Sequence, residues 1–213
     1  TGNAYTIVIA AGDATGSTAS EFTAINGKTT VAVDASAVTG LNSDNITNIQ
    51  TLLTAGNDTN QFTNTSFGSL TAVTVSDANL DGSKLADAID QAIIATSNTN
   101  TVFTISDATT ITGSEANFTA LLTDETNAQI TITDQNLTVN TGTISVDNAN
   151  LLAGTTTGKL TATIATTETV TELATLSADG GTNDLTVVIR SDDATAATAA
   201  QLNTINAATA VAV

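Results

Sequence analysis

The chain has 213 residues, with 21 aspartates and glutamates against four lysines and arginines, for a formal net charge of −17. Four cations cannot neutralise a row of phosphates, which excludes nucleic-acid binding and argues against an anionic membrane surface. The absence of Cys and His removes disulfides, thiolate nucleophiles, imidazole bases and ordinary zinc sites. No apolar run approaches the roughly 18 residues that a membrane-spanning helix needs, so we expect no span.

Short apolar alternations recur along the chain, each with one small or polar residue between two apolar ones. This period of two is typical of a strand with one buried face. The alternations begin 14 to 42 residues apart, which favours crossovers between parallel strands over hairpins. The nine predicted strands are centred on Ile7/Ile9, Val31/Val33, Val73/Val75, Phe103/Ile105, Ile130/Ile132, Ile144/Val146, Ala162/Ile164, Val187/Ile189 and Val211/Val213.

Between these strands, a residue favoured at helix N-termini is repeatedly followed four residues later by an apolar residue. The pattern predicts short helices of about two to three turns, each with one apolar stripe. Glu21, Glu172 and Gln201 stand three residues after their predicted caps, which completes a capping box in three helices. The seven predicted N-caps are Thr18, Asn42, Asp81, Ser114, Asp147, Thr169 and Thr198.

The same order of elements therefore repeats along the chain: a strand, a loop, a short helix and a connection to the next strand. This order predicts an α/β repeat fold. We expect a single elongated repeat domain over residues 1–213, built as a parallel β-solenoid with short helices in the crossovers. The alternatives are a closed or doubly wound α/β domain, an all-β parallel β-helix or a β-sandwich. The likeness among units and the alternating strands favour the solenoid.

Two stretches interrupt the repeat, and neither end of the chain has the polar cap of natural repeat arrays. Residues 56–69 form an insertion, which we expect to project as a loop carrying Phe62 and Phe67. Residues 135–147 form a degenerate coil in which extended chain replaces the helix. The last residue, Val213, falls inside a predicted strand, so the ends would expose open sheet edges. Open edges predict self-association through the uncapped ends.

One stretch, residues 25–38 (INGKTTVAVDASAV), is echoed by residues 202–213 (LNTINAATAVAV). In composition and in the spacing of its repeats, this sequence resembles the Thr/Ala/Asp-rich tandem repeats of very large secreted surface proteins of bacteria, particularly aquatic ones such as cyanobacteria. The resemblance implies an extracellular structural role at the cell surface, as an adhesin stalk, a surface layer (S-layer) or a fibre. It also implies that calcium could be required, and it carries over no catalytic residues.

Aspartates follow several of the predicted strands and could line one edge of a solenoid. Stacked carboxylates repel unless a cation bridges them, and calcium prefers the carboxylate, amide and carbonyl oxygens that are plentiful here. The alternative is that each aspartate opens the turn after its strand and stays solvated. The candidate metal ligands are Asp34, Asp77, Asp107, Asp134, Asp147 and Asp192.

We do not expect an enzyme, because no nucleophile–base pair can be named and Glu21 and Glu172 are accounted for as capping residues. The predicted function is structural: an extracellular repeat module that associates end to end. Two alternatives stay open. One is a discrete subunit that assembles into a filament, and the other is a carbohydrate-binding adhesive module that contacts surface glycans through Phe62 and Phe67.

Overall fold

The computed structural model describes residues 3–13, 15–63, 66–96, 100–177 and 182–213, with the backbone alone for residues 95 and 96. The chain divides into two compact units, residues 1–108 with 120–131 and residues 109–119 with 132–213. In both units, short strands alternate with helices along the chain. The α/β class that the sequence predicts is therefore confirmed.

The first unit contains a 3-10 helix at Ala11–Asp13 and parallel strands joined by helices. Strand β2 lies between β1 and β4, and Val73 of β2 pairs with Leu41 on one side and Phe103 on the other. Isolated parallel bridges join Val8 to Asp34 and Val33 to Phe62. The elements are α1 (Ala19–Asn26), β1 (Gly40–Asp44), α2 (Ile46–Gly56), β2 (Ala72–Val75), β3 (Asn79–Asp81), α3 (Gly82–Thr96) and β4 (Val102–Thr104).

In the second unit, four parallel strands lie side by side in chain order, β5–β6–β7–β8. Leu137 of β6 pairs with Ile111 on one side and Leu160 on the other. The elements from this point of the chain onward are β5 (Thr110–Ser114), α4 (Glu115–Thr126), β6 (Asn136–Thr141), α5 (Val146–Thr155), β7 (Leu160–Thr163), α6 (Val170–Leu173), β8 (Asp184–Thr186), α7 (Ser191–Ala194) and α8 (Ala199–Ala207). Each added strand satisfies the backbone groups of the strand before it.

Helix starts follow the predicted caps at five of seven positions. Thr18, Thr169 and Thr198 each form the complete capping box. The Asp81 carboxylate and the Ser114 hydroxyl accept backbone N–H groups at the starts of α3 and α4.

Two predicted caps are wrong. Asn42 lies inside β1, and the cap of α2 is Asn45, three residues later. This later start places Ile46 and Ile49 on the buried face of the helix. Asp147 lies in the first turn of α5, whose cap is Ser145.

Several strand predictions also need correction. Val211/Val213 and Ile130/Ile132 belong to no strand, Val187/Ile189 follows the end of β8, and Val146 begins α5. The predicted degenerate coil is extended, as β6, but it does not lack a helix, because α5 follows directly. Strands β1, β3 and β5 were not predicted: each lies immediately before a helix and is rich in Gly, Asn, Ser or Thr.

Three aromatic rings of the first unit, those of Phe22, Phe62 and Phe67, form a buried cluster. Phe62 and Phe67 are 0% exposed, and Phe67 packs edge-on against Phe22 with ring centroids 5.9 Å apart. The prediction that Phe62 and Phe67 project on a loop and contact glycans is therefore wrong. Residues 64 and 65 of the predicted insertion lie outside the described residues. Burial of aromatic area explains the outcome, since these rings are the largest apolar groups available to a core of Ala, Val, Ile and Leu.

Candidate association site

The last block of the second unit, defined as residues 183–213, has a cavity of about 360 Å³ on its surface. Helix α8 supplies one wall, and the chain that continues β8 supplies the other. Thr198 caps α8 and fixes where it begins, so that Leu202 and Asn206, four residues apart, fall on the same side of the helix. The six lining residues are Val187, Ile189, Leu202, Asn203, Asn206 and Val213.

The cavity is apolar with two amides, and none of its lining side chains titrates. Leu202 is 39% exposed and Val213 is 48% exposed. Exposed apolar groups that line a concave surface mark a binding site more often than scattered ones do. This arrangement can accept an apolar side chain and hydrogen-bond a backbone, but it has no acid, base or nucleophile for catalysis.

Carboxylates connect neighbouring strand–helix units, called turns of the chain below, by accepting backbone N–H groups at the N-termini of helices. In the first unit, Asp44 accepts the Ser20 N–H of α1 at 2.8 Å, and Asp77 accepts the Ile46 N–H of α2 at 2.6 Å. Each of these two acids lies between the helix whose N–H it accepts and the next helix of the chain. The free N–H groups and the positive end of the helix dipole both favour a carboxylate at this place.

The second unit repeats this arrangement. Glu168 accepts the Val146 N–H of α5 at 3.4 Å, and Asp193 accepts the Val170 N–H of α6 at 3.2 Å. Glu115 reaches forward instead and accepts the Ser145 N–H at 3.1 Å. These bonds connect successive turns of the chain without any ion pair.

Hydrogen bonds control the ionisation of two of these acids. Burial raises the pKa of Asp44, but bonds from Asn48, Ser20 and Asn45 outweigh it and hold the pKa below its ordinary value. The Asn148 amide and the Ser145 N–H and hydroxyl lower the pKa of Glu115, against a smaller effect of burial. Both carboxylates are therefore charged at neutral pH.

The six predicted calcium ligands fall into separate local settings. Asp34 accepts the Ser36 N–H at 2.9 Å, and this turn lowers its pKa. Asp77 accepts the Ile46 N–H of α2, and Asp107 lies in the turn after β4. Asp134 accepts hydrogen bonds from the Thr133 hydroxyl and the Gln135 amide.

The two remaining candidates lie on helices of the second unit. Asp147 lines a second cavity, of about 280 Å³, together with Glu168 and Glu172. The Asp192 carboxylate lies 3.7 Å from the Arg190 guanidinium. Within the described ranges, no three acidic side chains lie close enough to hold a metal ion together. Calcium binding stays a prediction of the sequence.

Sequence reasoning missed the connecting role of Asp44, Glu115, Glu168 and Asp193. A signal was present in two cases, because Asp44 and Glu168 each stand directly before a capping residue, Asn45 or Thr169. The other cases require knowledge of which turns of the chain are neighbours. That knowledge comes from the register of the sheet and not from local sequence.

Comparison with protein-family models, curated proteins and solved structures found no match to this chain. Across the described residues, no helix has the length and apolar character needed to cross a membrane.

Proposed function

We propose that this chain is an extracellular structural module, a stretch of parallel β-solenoid that associates end to end in a surface layer, fibre or adhesin stalk. The observation that carries the proposal is the open apolar cavity on the last block. In the second unit, strands add in parallel and in chain order, and Leu202 and Val213 of the last block are exposed.

The chemistry of the surface supports a mechanical role. The side-chain carboxylates that connect turns of the chain are used as helix caps, which stabilises stacking and leaves them poorly placed for catalysis. The extracellular setting rests on the resemblance to bacterial surface repeats. Calcium, where it binds, would add to the stacking and would not replace it.

The net charge of −17 predicts how association depends on salt concentration. Two molecules of this charge repel at low ionic strength, and salt screens that repulsion over about 8–10 Å near 0.15 M. Association driven by an apolar face should therefore strengthen with added sodium chloride. Association driven by ion pairs would weaken instead.

Sedimentation velocity over a wide concentration range, at about 0.05 and 0.5 M salt, tests the proposal together with negative-stain electron microscopy. We expect larger species that grow with concentration and with salt, and linear assemblies on the grid. A chain that stays monomeric at every concentration and salt level would refute end-to-end association between separate molecules.

A further inference from the structure

The last block, residues 183–213, repeats the first block, defined as residues 3–33. At a constant offset of 180 residues, 15 of the 31 positions are identical. The matches include Asn3/Asn183, Thr18/Thr198, Ile25/Ile205, Thr29/Thr209 and Val33/Val213. The chain therefore returns to its starting pattern after 180 residues.

The two blocks also fold alike. Thr18 and Thr198 cap equivalent helices with complete capping boxes. The Thr29 hydroxyl donates to the Tyr5 carbonyl at 2.6 Å, and the Thr209 hydroxyl donates to the equivalent Leu185 carbonyl at 2.8 Å. Each hydroxyl accepts the N–H two residues later, at 3.0 and 3.1 Å. Equivalent residues thus have equivalent roles.

In the first block, the face that corresponds to the open cavity is covered by residues from 34–63 and by Phe67. The Ile9 N–H donates to the Asp34 carbonyl at 2.8 Å, and the Asn26 amide donates to Gln61 at 3.2 Å. The Ser20 N–H binds the Asp44 carboxylate. The Phe22 ring packs against Phe67.

Equivalent positions in the two blocks differ in how far they are exposed. Phe22 is 1% exposed and Val33 is 0% exposed, whereas their equivalents Leu202 and Val213 are 39% and 48% exposed. The cavity is lined by the equivalents of the first-block residues that residues 34–67 contact: Ile189 for Ile9, Leu202 for Phe22 and Asn206 for Asn26.

We infer that the open face of the last block is a docking site for a segment with the sequence features of residues 34–67. This inference rests on the proposed function and names the partner of its association face. The partner adds a parallel strand beside Val187–Ile189, places a carboxylate at the start of α8 as Asp44 does for α1, and fills the cavity with an aromatic ring as Phe67 does. A second molecule offers this segment only where its own first block releases it, whereas a linked repeat supplies it directly and at high effective concentration.

The test appends a second copy of residues 34–67 directly after Val213 of the full chain, which continues the 180-residue register. A Leu202→Cys substitution reports burial, because the chain has no other thiol. We expect the extension to slow thiol modification at this position at least tenfold. A matched extension of the same composition in scrambled order should leave the rate unchanged, as should either extension with the reporter at Leu151, which is 54% exposed on α5.

Hydrogen exchange of residues 198–213 in the extended chain, with Leu202 retained, gives a second readout that does not depend on the reporter. Equal thiol rates and equal exchange with the ordered and scrambled extensions would overturn the inference. If the ordered extension docks but the 213-residue chain never associates, the inference stands and the proposed association between separate molecules fails. If the chain associates but the ordered extension does not dock, the partner named here is wrong.

Discussion

Asp124 is a carboxylate whose surroundings oppose its charge. It is 8% exposed on α4, and burial, followed by repulsion from Asp90, raises its pKa to about 6. The folded chain therefore binds this proton more tightly than the unfolded chain does. Between pH 4 and 6, stability from this group falls as pH rises, because the folded state must give up a proton that the unfolded state has already lost.

Asp124→Asn should accordingly stabilise the protein at pH 7.5 by about 1–2 kcal/mol and should have little effect near pH 4. Urea unfolding at both pH values measures the difference. Asp90→Asn is the matched control: it removes only the repulsion and should give a smaller gain of the same sign. An Asp124→Asn protein that is equally destabilised at both pH values would contradict this assignment.

Two helical glycines should respond in opposite ways to alanine. A Cβ on Gly56 would lie 2.8 Å from the buried Phe67 ring, whereas a Cβ on Gly154 would meet nothing within 4 Å. Phe67 itself has φ of 58°, a left-handed conformation that its packing must hold.

We expect Gly56→Ala to destabilise the protein by about 1–3 kcal/mol through overpacking. We expect Gly154→Ala to stabilise it by about 0.5–1 kcal/mol, because alanine is the better helix former. Thermal unfolding followed by circular dichroism compares the two variants directly. The same sign for both would mean that Phe67 does not pack as described.

At the level of helices and strands, most helix N-termini could be predicted from the sequence. The capping boxes at Thr18, Thr169 and Thr198 need only residues three apart, so spacing alone located them. The strands β1, β3 and β5 were missed, because their stability comes from pairing with a neighbour and not from β-branched composition.

Connections between helices are carried by carboxylates, and Asp44 gives the clearest test. It accepts the Ser20 N–H of α1 and, at 2.8 Å, the Asn48 amide of α2. Asp44→Asn should cost about 1–2 kcal/mol of unfolding free energy at pH 7, because a charge-assisted bond to a helix N-terminus is lost.

The lowered pKa of Asp44 fixes the sign of its pH dependence. Its contribution is complete above the unfolded pKa and is lost as pH falls through the folded pKa. The loss caused by Asp44→Asn should therefore shrink in strong acid. Asp107→Asn, in a turn after β4, is the control and should change little. Equal effects of the two substitutions would exclude a special role for Asp44.

At the scale of the whole molecule, the open face of the last block should control association. Leu202→Ser should reduce association at least tenfold, because it removes apolar area from the cavity. Leu151→Ser removes the same side chain from an exposed position on α5 that lines no cavity of the last block, and should leave association unchanged. Sedimentation velocity at high salt measures the association constant of each variant. Association that survives Leu202→Ser would place the interface elsewhere.

The missing polar caps predicted open sheet edges, but they did not indicate which residues line the cavity of the last block. Leu202 and Val213 carry no signal that separates them from Phe22 and Val33, which are buried. Phe22 and Val33 contact residues later in the chain, Phe67 and Phe62, and contacts of this kind cannot be seen in the local sequence. Phe62 and Phe67 were misplaced for the same reason, since an Asn- and Thr-rich context concealed a tertiary contact.

Amide hydrogen exchange of the dilute, monomeric protein tests most directly the claim that the last block is uncovered. The Ile9 N–H is bonded to Asp34 and the Ser20 N–H to Asp44, whereas the equivalent Ile189 lines the open cavity and the equivalent Ala200 lies in the first turn of α8. We predict slow exchange at Ile9 and Ser20 and at least 100-fold faster exchange at Ile189 and Ala200. Equal protection within the two pairs would contradict the account.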